Sequence, residues 1–431
     1  DRFLSINRVA CHLNVGIPKL RVLSNVGSLP SDGAYPRRER RGIAPVQRII
    51  CWVNLHSCGP IGGFVWIGDF LHNMGRSNSD RLPPGEERWR FEIDSGEVME
   101  MTENTVYIGS YAGNLYAIDA IDGTKQWENV DPDRNIGGNI RYLEVGKSHV
   151  FAADNRYVRG VSRNAGVNQW QFNVGEEQTP LGTVVDDTIG TIYIGKKNDN
   201  KLLAIDTVLE TQKWSFSSDS GPIAPLAVAN EGVLLGTESG ELYAVNATNG
   251  TQQWHSTVPE SSYICIGEET VYACDNEYLT AIDMATGTQQ WELEFEFESA
   301  GIIDPEVRSL AVGEEMVFLG STRGDVLAVS PPPTDGCEVW QSNIEGSQSN
   351  SLGRRPINSL CAQGETVYVG THERRETNTL CAVDVGTGAG QWSFETQGPI
   401  KSIGVNNETV YALTPSYAYA VATGSGGVVQ R

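Results

Sequence analysis

Arginine and histidine supply the residues of this sequence whose types and positions suit chemistry beyond folding. Arg308, Arg323, Arg354, Arg355, Arg374 and Arg375 fall, together with His372, in one stretch of chain between residues 308 and 375. A guanidinium offers a planar fork of N–H donors that fits a carboxylate or a phosphate. The chemistry this set implies is capture of an anionic ligand or of an acidic segment of another protein. The competing reading pairs these arginines with Glu306, Glu373, Glu376 and their neighbours on solvated loops.

Signatures of catalysis are missing. No Ser-His-Asp, P-loop or zinc constellation is present, and three of the six histidines precede residue 86. Asp304 and the pair Asp186-Asp187 are acids near loops that read as solvated. The eight cysteines contain no C-x-x-C, so the expectation is buried free thiols rather than a metal site or a disulfide framework. Cys265 and Cys274 belong to one hairpin, in diagonal rather than opposite positions.

Charge narrows the partners. Residues 1–85 carry 11 Lys+Arg against 5 Asp+Glu, whereas residues 86–431 carry 21 against 49, a net of −28. Nucleic acid is therefore not an expected partner, because binding phosphates needs a basic footprint. An acidic surface with 8 lysines against 24 arginines suits a protein kept soluble in concentrated salt. A halophilic archaeal origin is the corresponding expectation.

The elements that position these residues repeat. In TVYIGSYAGNLYAIDAIDGTKQWEN, residues 105–129, two short β-branched and aromatic runs flank a glycine turn, and a second turn leads to a strand holding Trp127. The pattern recurs about every 40 residues, a period that means a propeller, solenoid or array. Trp89, Trp127, Trp170, Trp214, Trp254, Trp291, Trp340 and Trp392 mark it. Each tryptophan from Trp127 onward follows a hairpin, Trp89 follows none, and the last hairpin (residues 410–422) has no tryptophan after it. The two deficits match if the strand of Trp89 completes the C-terminal sheet. The predicted fold is all-β: an eight-bladed β-propeller of four-stranded antiparallel blades, closed by that pairing. Seven blades with a stray strand is the alternative.

The motif Ala117-x-Asp119-x-x-x-Gly123-x-x-x-Trp127 resembles the tryptophan-docking repeat of PQQ-type propellers, a superfamily of quinoprotein dehydrogenases and BamB-like assembly scaffolds. Ala281/Asp283/Gly287/Trp291 and Ala382/Asp384/Gly388/Trp392 match it in full. Ala244/Asn246/Gly250/Trp254 nearly does, Glu210 replaces the glycine before Trp214, and Gly160 and Ser162 replace alanine and aspartate before Trp170. Alanine is expected to leave room for a neighbouring blade's indole, glycine to allow φ > 0, Asp or Asn to bond turn N–H groups, and tryptophan to bury a large face between blades.

In such blades the long connections 292–307, 341–356 and 371–379 open at one mouth of the channel, which would gather the arginines and His372. The resemblance implies either a non-catalytic, BamB-like scaffold that binds proteins, or a PQQ-dependent alcohol or sugar dehydrogenase. A ligand-binding sensor is a third reading. The scaffold reading is preferred: the repeats run almost without large insertions, and no vicinal Cys-Cys or defensible calcium site is present. No cofactor is expected; PQQ and calcium belong to the enzyme alternative only. The chain is expected to act as a monomer.

Residues 1–85 show neither the repeat nor its acidity and are expected to be disordered, processed or outside the native protein, with residues 86–431 forming the propeller. Translation starting near Met74 would make the protein cytoplasmic. A twin-arginine or lipid-attachment signal around Arg37–Cys58 would instead make it extracellular or membrane-anchored. The apolar run 49–71 contains Asn54, His56, Gly59, Pro60 and Asp69 and is a poor transmembrane span.

Overall fold

The computed structural model describes residues 82–130, 138–175, 180–197, 199–229, 231–237, 239–259, 263–297, 305–331, 337–343, 356–372, 378–406 and 408–424, and the backbone of two short strands, Ile49–Cys51 and Gly63–Val65. The chain divides into two compact units, residues 1–45 and 46–431; every element named here belongs to the second. No helix occurs among the described residues.

Eight antiparallel sheets, each with four blade strands, form a propeller. Blade 1 spans residues 96–129, blade 2 142–173, blade 3 180–217, blade 4 223–257, blade 5 263–294, blade 6 307–343 and blade 7 357–396; blade 8 combines 402–422 with Glu87–Glu92. The first strands of successive blades line the inner side, and that of blade 8 meets that of blade 1. In blade 5 the hairpin of Ile49–Cys51 and Gly63–Val65 adds two strands to the first strand, with Cys51 opposite Cys265. Otherwise the expectation for residues 1–85 lies outside the described residues.

Sequence pattern explains the layering. Second strands such as TVYIGS and TIYIGK are buried at every position, because neighbouring blades cover both faces and near-continuous apolar runs result. Fourth strands such as QKWSFS and QQWELE alternate exposed with partly covered residues, as a rim strand does. Each core cluster spans a seam: Leu115, Tyr107 and Val98 of blade 1 pack with Leu143, Val150 and Val161 of blade 2.

Closure follows the predicted pairing. Trp89 lies opposite Ala420, Arg90 opposite Tyr419 and Glu92 opposite Tyr417. The same strand places Trp89 in a core with Met99, Ile118 and Tyr116 of blade 1, so the ring has no open apolar end. The turn before this strand is split between the chain's two ends. In blade 1, Asp119-Ala120-Ile121-Asp122-Gly123 is bridged by Gly123 N–H donating to the Asp119 carbonyl at 3.0 Å. In blade 8, Ala422-Thr423-Gly424 and Pro84-Gly85 fill the same five places, with Gly85 N–H donating to the Ala422 carbonyl at 2.8 Å.

The motif residues take partly different roles from those the repeat suggested. Alanine lies opposite the tryptophan of its own blade, as in Ala117–Trp127 and Ala204–Trp214. Room for the neighbouring blade's indole is made instead by the glycine: a β-carbon on Gly123 would lie 2.7 Å from Trp89, and one on Gly166 2.7 Å from Trp127. The indole N–H then donates to a carbonyl of that turn, from Trp89 to Ala120 at 3.1 Å and from Trp127 to Arg163 at 2.7 Å. Asp and Asn behave as expected: Asp206 Oδ1 accepts from the N–H groups of Val208 and Leu209, and Asn246 Oδ1 from those of Thr248 and Asn249. Cys265, Cys274, Cys361 and Cys381 are buried. Cys265 faces Tyr272 and Cys274 faces Tyr263, the predicted diagonal.

Candidate functional site

Strand register places the expected residues. In blade 6, Val307 pairs with Ser321 and Asp325 with Asn343; in blade 7, Ile357 pairs with Thr371 and Asn378 with Thr396. The start of the first strand and the turn between second and third strands therefore share one end of each blade. Arg308, Arg323 and His372 all lie at that end. Arg354, Arg355, Arg374 and Arg375 lie outside the described residues.

Blades 6 and 7 are joined there by polar side chains. Arg308 Nε donates to Asn358 Oδ1 at 3.2 Å across the seam, and Ser309 Oγ donates to the Ile357 carbonyl at 3.2 Å. Arg323 N–H donates to Ser321 Oγ at 3.1 Å, and Ser321 Oγ also takes the N–H of Asp325. His372 N–H donates to the Pro356 carbonyl at 2.9 Å, two residues before Asn358. Arg308, Arg323 and His372 are partly exposed, whereas Asn358 is buried.

Backbone irregularity aims these side chains. Register slips between Val307 and Ser309 and between Ile357 and Ser359, leaving Arg308 and Asn358 as the extra residues of β-bulges. Blade 1 slips between Gly96 and Val98, at Glu97. A bulge re-aims its extra side chain and is common beside binding sites. Lys401, before the first strand of blade 8, occupies the corresponding place and forms an ion pair with Glu97. Arg141, before that of blade 2, donates its N–H to the Ala153 carbonyl. Asn358, Lys401, Glu97 and Arg141 were not singled out in the sequence. Aligning the first strands, VRSLAV, INSLCA, KSIGV, GEVMEM and RYLEV, would have found them, since each occupies the polar position just before an apolar run.

Among the described residues no three His, Cys, Asp or Glu side chains converge as the ligands of a metal would. No helix of the described residues is long and apolar enough to cross a membrane.

The crystal structure of BamB from Moraxella catarrhalis is similar over 79% of this chain and 98% of that one, with a TM-score of 0.61 and 15% identity. The computationally designed protein Ika8 is similar over 76% and 96%, with a TM-score of 0.60 and 14% identity. The quinohemoprotein alcohol dehydrogenase of Comamonas testosteroni is similar over 80% and 77%, with a TM-score of 0.59 and 11% identity. At these identities the likeness concerns the fold. A curated relative, the serine/threonine-protein kinase AfsK of Streptomyces griseus, is 23% identical over 175 residues, 38% of this chain and 21% of the kinase. The chain thus matches about a fifth of that relative's length. The model of one family covers residues 80–208 and 209–431, nearly all of the ring. This chain belongs to that family, described as outer membrane protein assembly factor BamB.

Proposed function

We propose that the chain is a non-catalytic scaffold that binds an acidic segment of another protein where blades 6 and 7 meet. The observation that carries this reading is the Arg308–Asn358 hydrogen bond across that seam, with Arg323 and His372 at the same end of a protein whose formal net charge is −22. A guanidinium oriented through Nε is suited to forked contact with a carboxylate. Arg354, Arg355, Arg374 and Arg375, expected from the sequence to join this sector, lie outside the described residues. The family's description as an assembly factor supports a protein-binding role.

The test is fluorescence anisotropy with a labelled oligoglutamate peptide. The Arg308→Glu/Arg323→Glu variant should bind it about tenfold more weakly or worse, and added salt should weaken the parent's binding. Equal affinity in parent and variant would overturn the reading. The quinoprotein alternative rests on fold likeness; absorbance and dye reduction after adding PQQ and Ca²⁺ would favour it.

A further inference from the structure

Two cysteines oppose each other where the short hairpin meets the ring. Ile49–Cys51 pairs antiparallel with Gly63–Val65 on one side and with Tyr263–Ile266, the first strand of blade 5, on the other. The pairing with blade 5 sets Cys51 opposite Cys265. Every other paired cysteine of the described strands faces a different residue type. Beyond blade 5, Ile49–Cys51 lies against the first strand of blade 6, and Gly63–Val65 against those of blades 7, 8 and 1. The hairpin thus crosses the inner side of the ring from blade 5 to blade 1.

Register sets the chemistry open to this pair. Directly opposed residues of antiparallel strands have α-carbons about 4.5 or 5.5 Å apart. Both separations fall within the span of about 4.4–6.8 Å that a disulfide bridges. Opposed residues also share one face of a sheet. Cys265 is fully buried in the core that joins blades 5 and 6, and the first strand of blade 6 is also a neighbour of Ile49–Cys51. Backbone pairing alone holds the hairpin weakly. Two strands by themselves are marginally stable, and a single register pair joins them to blade 5.

We propose that Cys51 and Cys265 form a disulfide that fastens the hairpin across the inner side of the ring. The oxidant is a small disulfide such as oxidised glutathione. One cysteine thiolate attacks a glutathione sulfur and expels the first glutathione thiolate; the second cysteine thiolate then attacks the mixed disulfide and expels the other. Two protein thiols are oxidised, two glutathione sulfurs are reduced, and the two protons leave with the released glutathione. The link is separate from the basic sector at blades 6 and 7 and stands or falls independently of it.

The test is peptide mapping by mass spectrometry of the full chain, equilibrated with oxidised glutathione or with dithiothreitol and alkylated after acid quenching and unfolding. After oxidation a peptide pair joining Cys51 to Cys265 is expected, absent in dithiothreitol and in Cys51→Ser but retained in Cys58→Ser and in Cys274→Ser. Recovery of Cys265 alkylated, or joined to any other cysteine, in the oxidised parent would overturn the proposal. A thermal melt tests the fastening without any mutation. Oxidation should raise the parent's midpoint by at least about 3 °C and leave that of Cys51→Ser in place. A link that forms and leaves the midpoint unchanged would show that the bond fastens nothing.

Discussion

A β-carbon on Gly160 would lie 2.5 Å from Trp170 Cε2, an atom of its own blade's indole. In the sibling blades alanine occupies that position, and the indole reaches forward to the next blade's turn. Trp214 donates to the Ala247 carbonyl and Trp254 to that of Met284, both at 3.1 Å. Trp170 Nε1 has no such partner. The cause lies in blade 3, where Glu210 holds a left-handed φ of 59° at the place its siblings give to glycine. A β-carbon there blocks the forward pose, as the 2.7 Å approach at Gly123 and Gly166 shows, so the indole settles over Gly160. Gly160→Ala alone should therefore destabilise by about 1–3 kcal/mol through overpacking. Glu210→Gly alone should change little, relief of strain offsetting the greater freedom of the unfolded chain. Combined, the pair should couple favourably by about 1 kcal/mol, because the indole regains its forward pose. Urea melts of the four proteins measure the cycle, and additive effects would refute the coupling.

At the scale of elements, the turn between third and fourth strands is one device used repeatedly. The Oδ1 of Asp119, Asp206, Asp283 and Asn246 accepts the N–H groups two and three residues on. In Asp206 and Asp283 these bonds favour the carboxylate. Asp206 lies below its ordinary 3.8, chiefly through the N–H groups of Leu209 and Val208, and so does Asp283, first through the Thr286 hydroxyl. Because folding depresses these values, the unfolded chain binds more protons in acid. Their stabilisation is complete above the ordinary value and lost as pH falls through the folded one. Asn246 shows that an amide can hold the same geometry without titrating. Asp206→Asn/Asp283→Asn should therefore be less stable than the parent at neutral pH, the difference narrowing between about pH 5 and about pH 2. Chemical denaturation across that range measures it, and a constant difference would sink the argument. This turn was legible in the sequence because its residues follow one another at fixed spacing. The Arg308–Asn358 contact was not: it joins residues from different blades, and their meeting depends on bulges and burial that local spacing does not encode.

For the whole molecule, eight blades and their closure could be read from spacing because a missing hairpin at one end and a missing tryptophan strand at the other have one joint solution. What spacing alone left unseen is how closely the junction imitates a continuous turn. Thr423 N–H donates to the Glu408 carbonyl as Ala120 does to Asn104 and Met284 to Glu269. Ala422 N–H donates to Glu86 as Asp119 does to Thr124. Gly424 lies against Pro84, and a bond between them would restore the five-residue turn of blade 1. The final strand of blade 8 must otherwise be recruited from the far end of the chain, at the entropic expense of closing a long loop. A circular permutant that joins Gly424 to Pro84 and opens the chain within residues 344–355 should keep the same all-β circular dichroism and unfold at a higher temperature. Deleting Glu87–Glu92 from the native order should instead expose the blade 1 face around Tyr116 and Ile118 and lower the midpoint sharply. If the permutant melts below the native chain, the junction is strained rather than merely divided; if the deletion melts unchanged, the ring does not depend on that strand for closure.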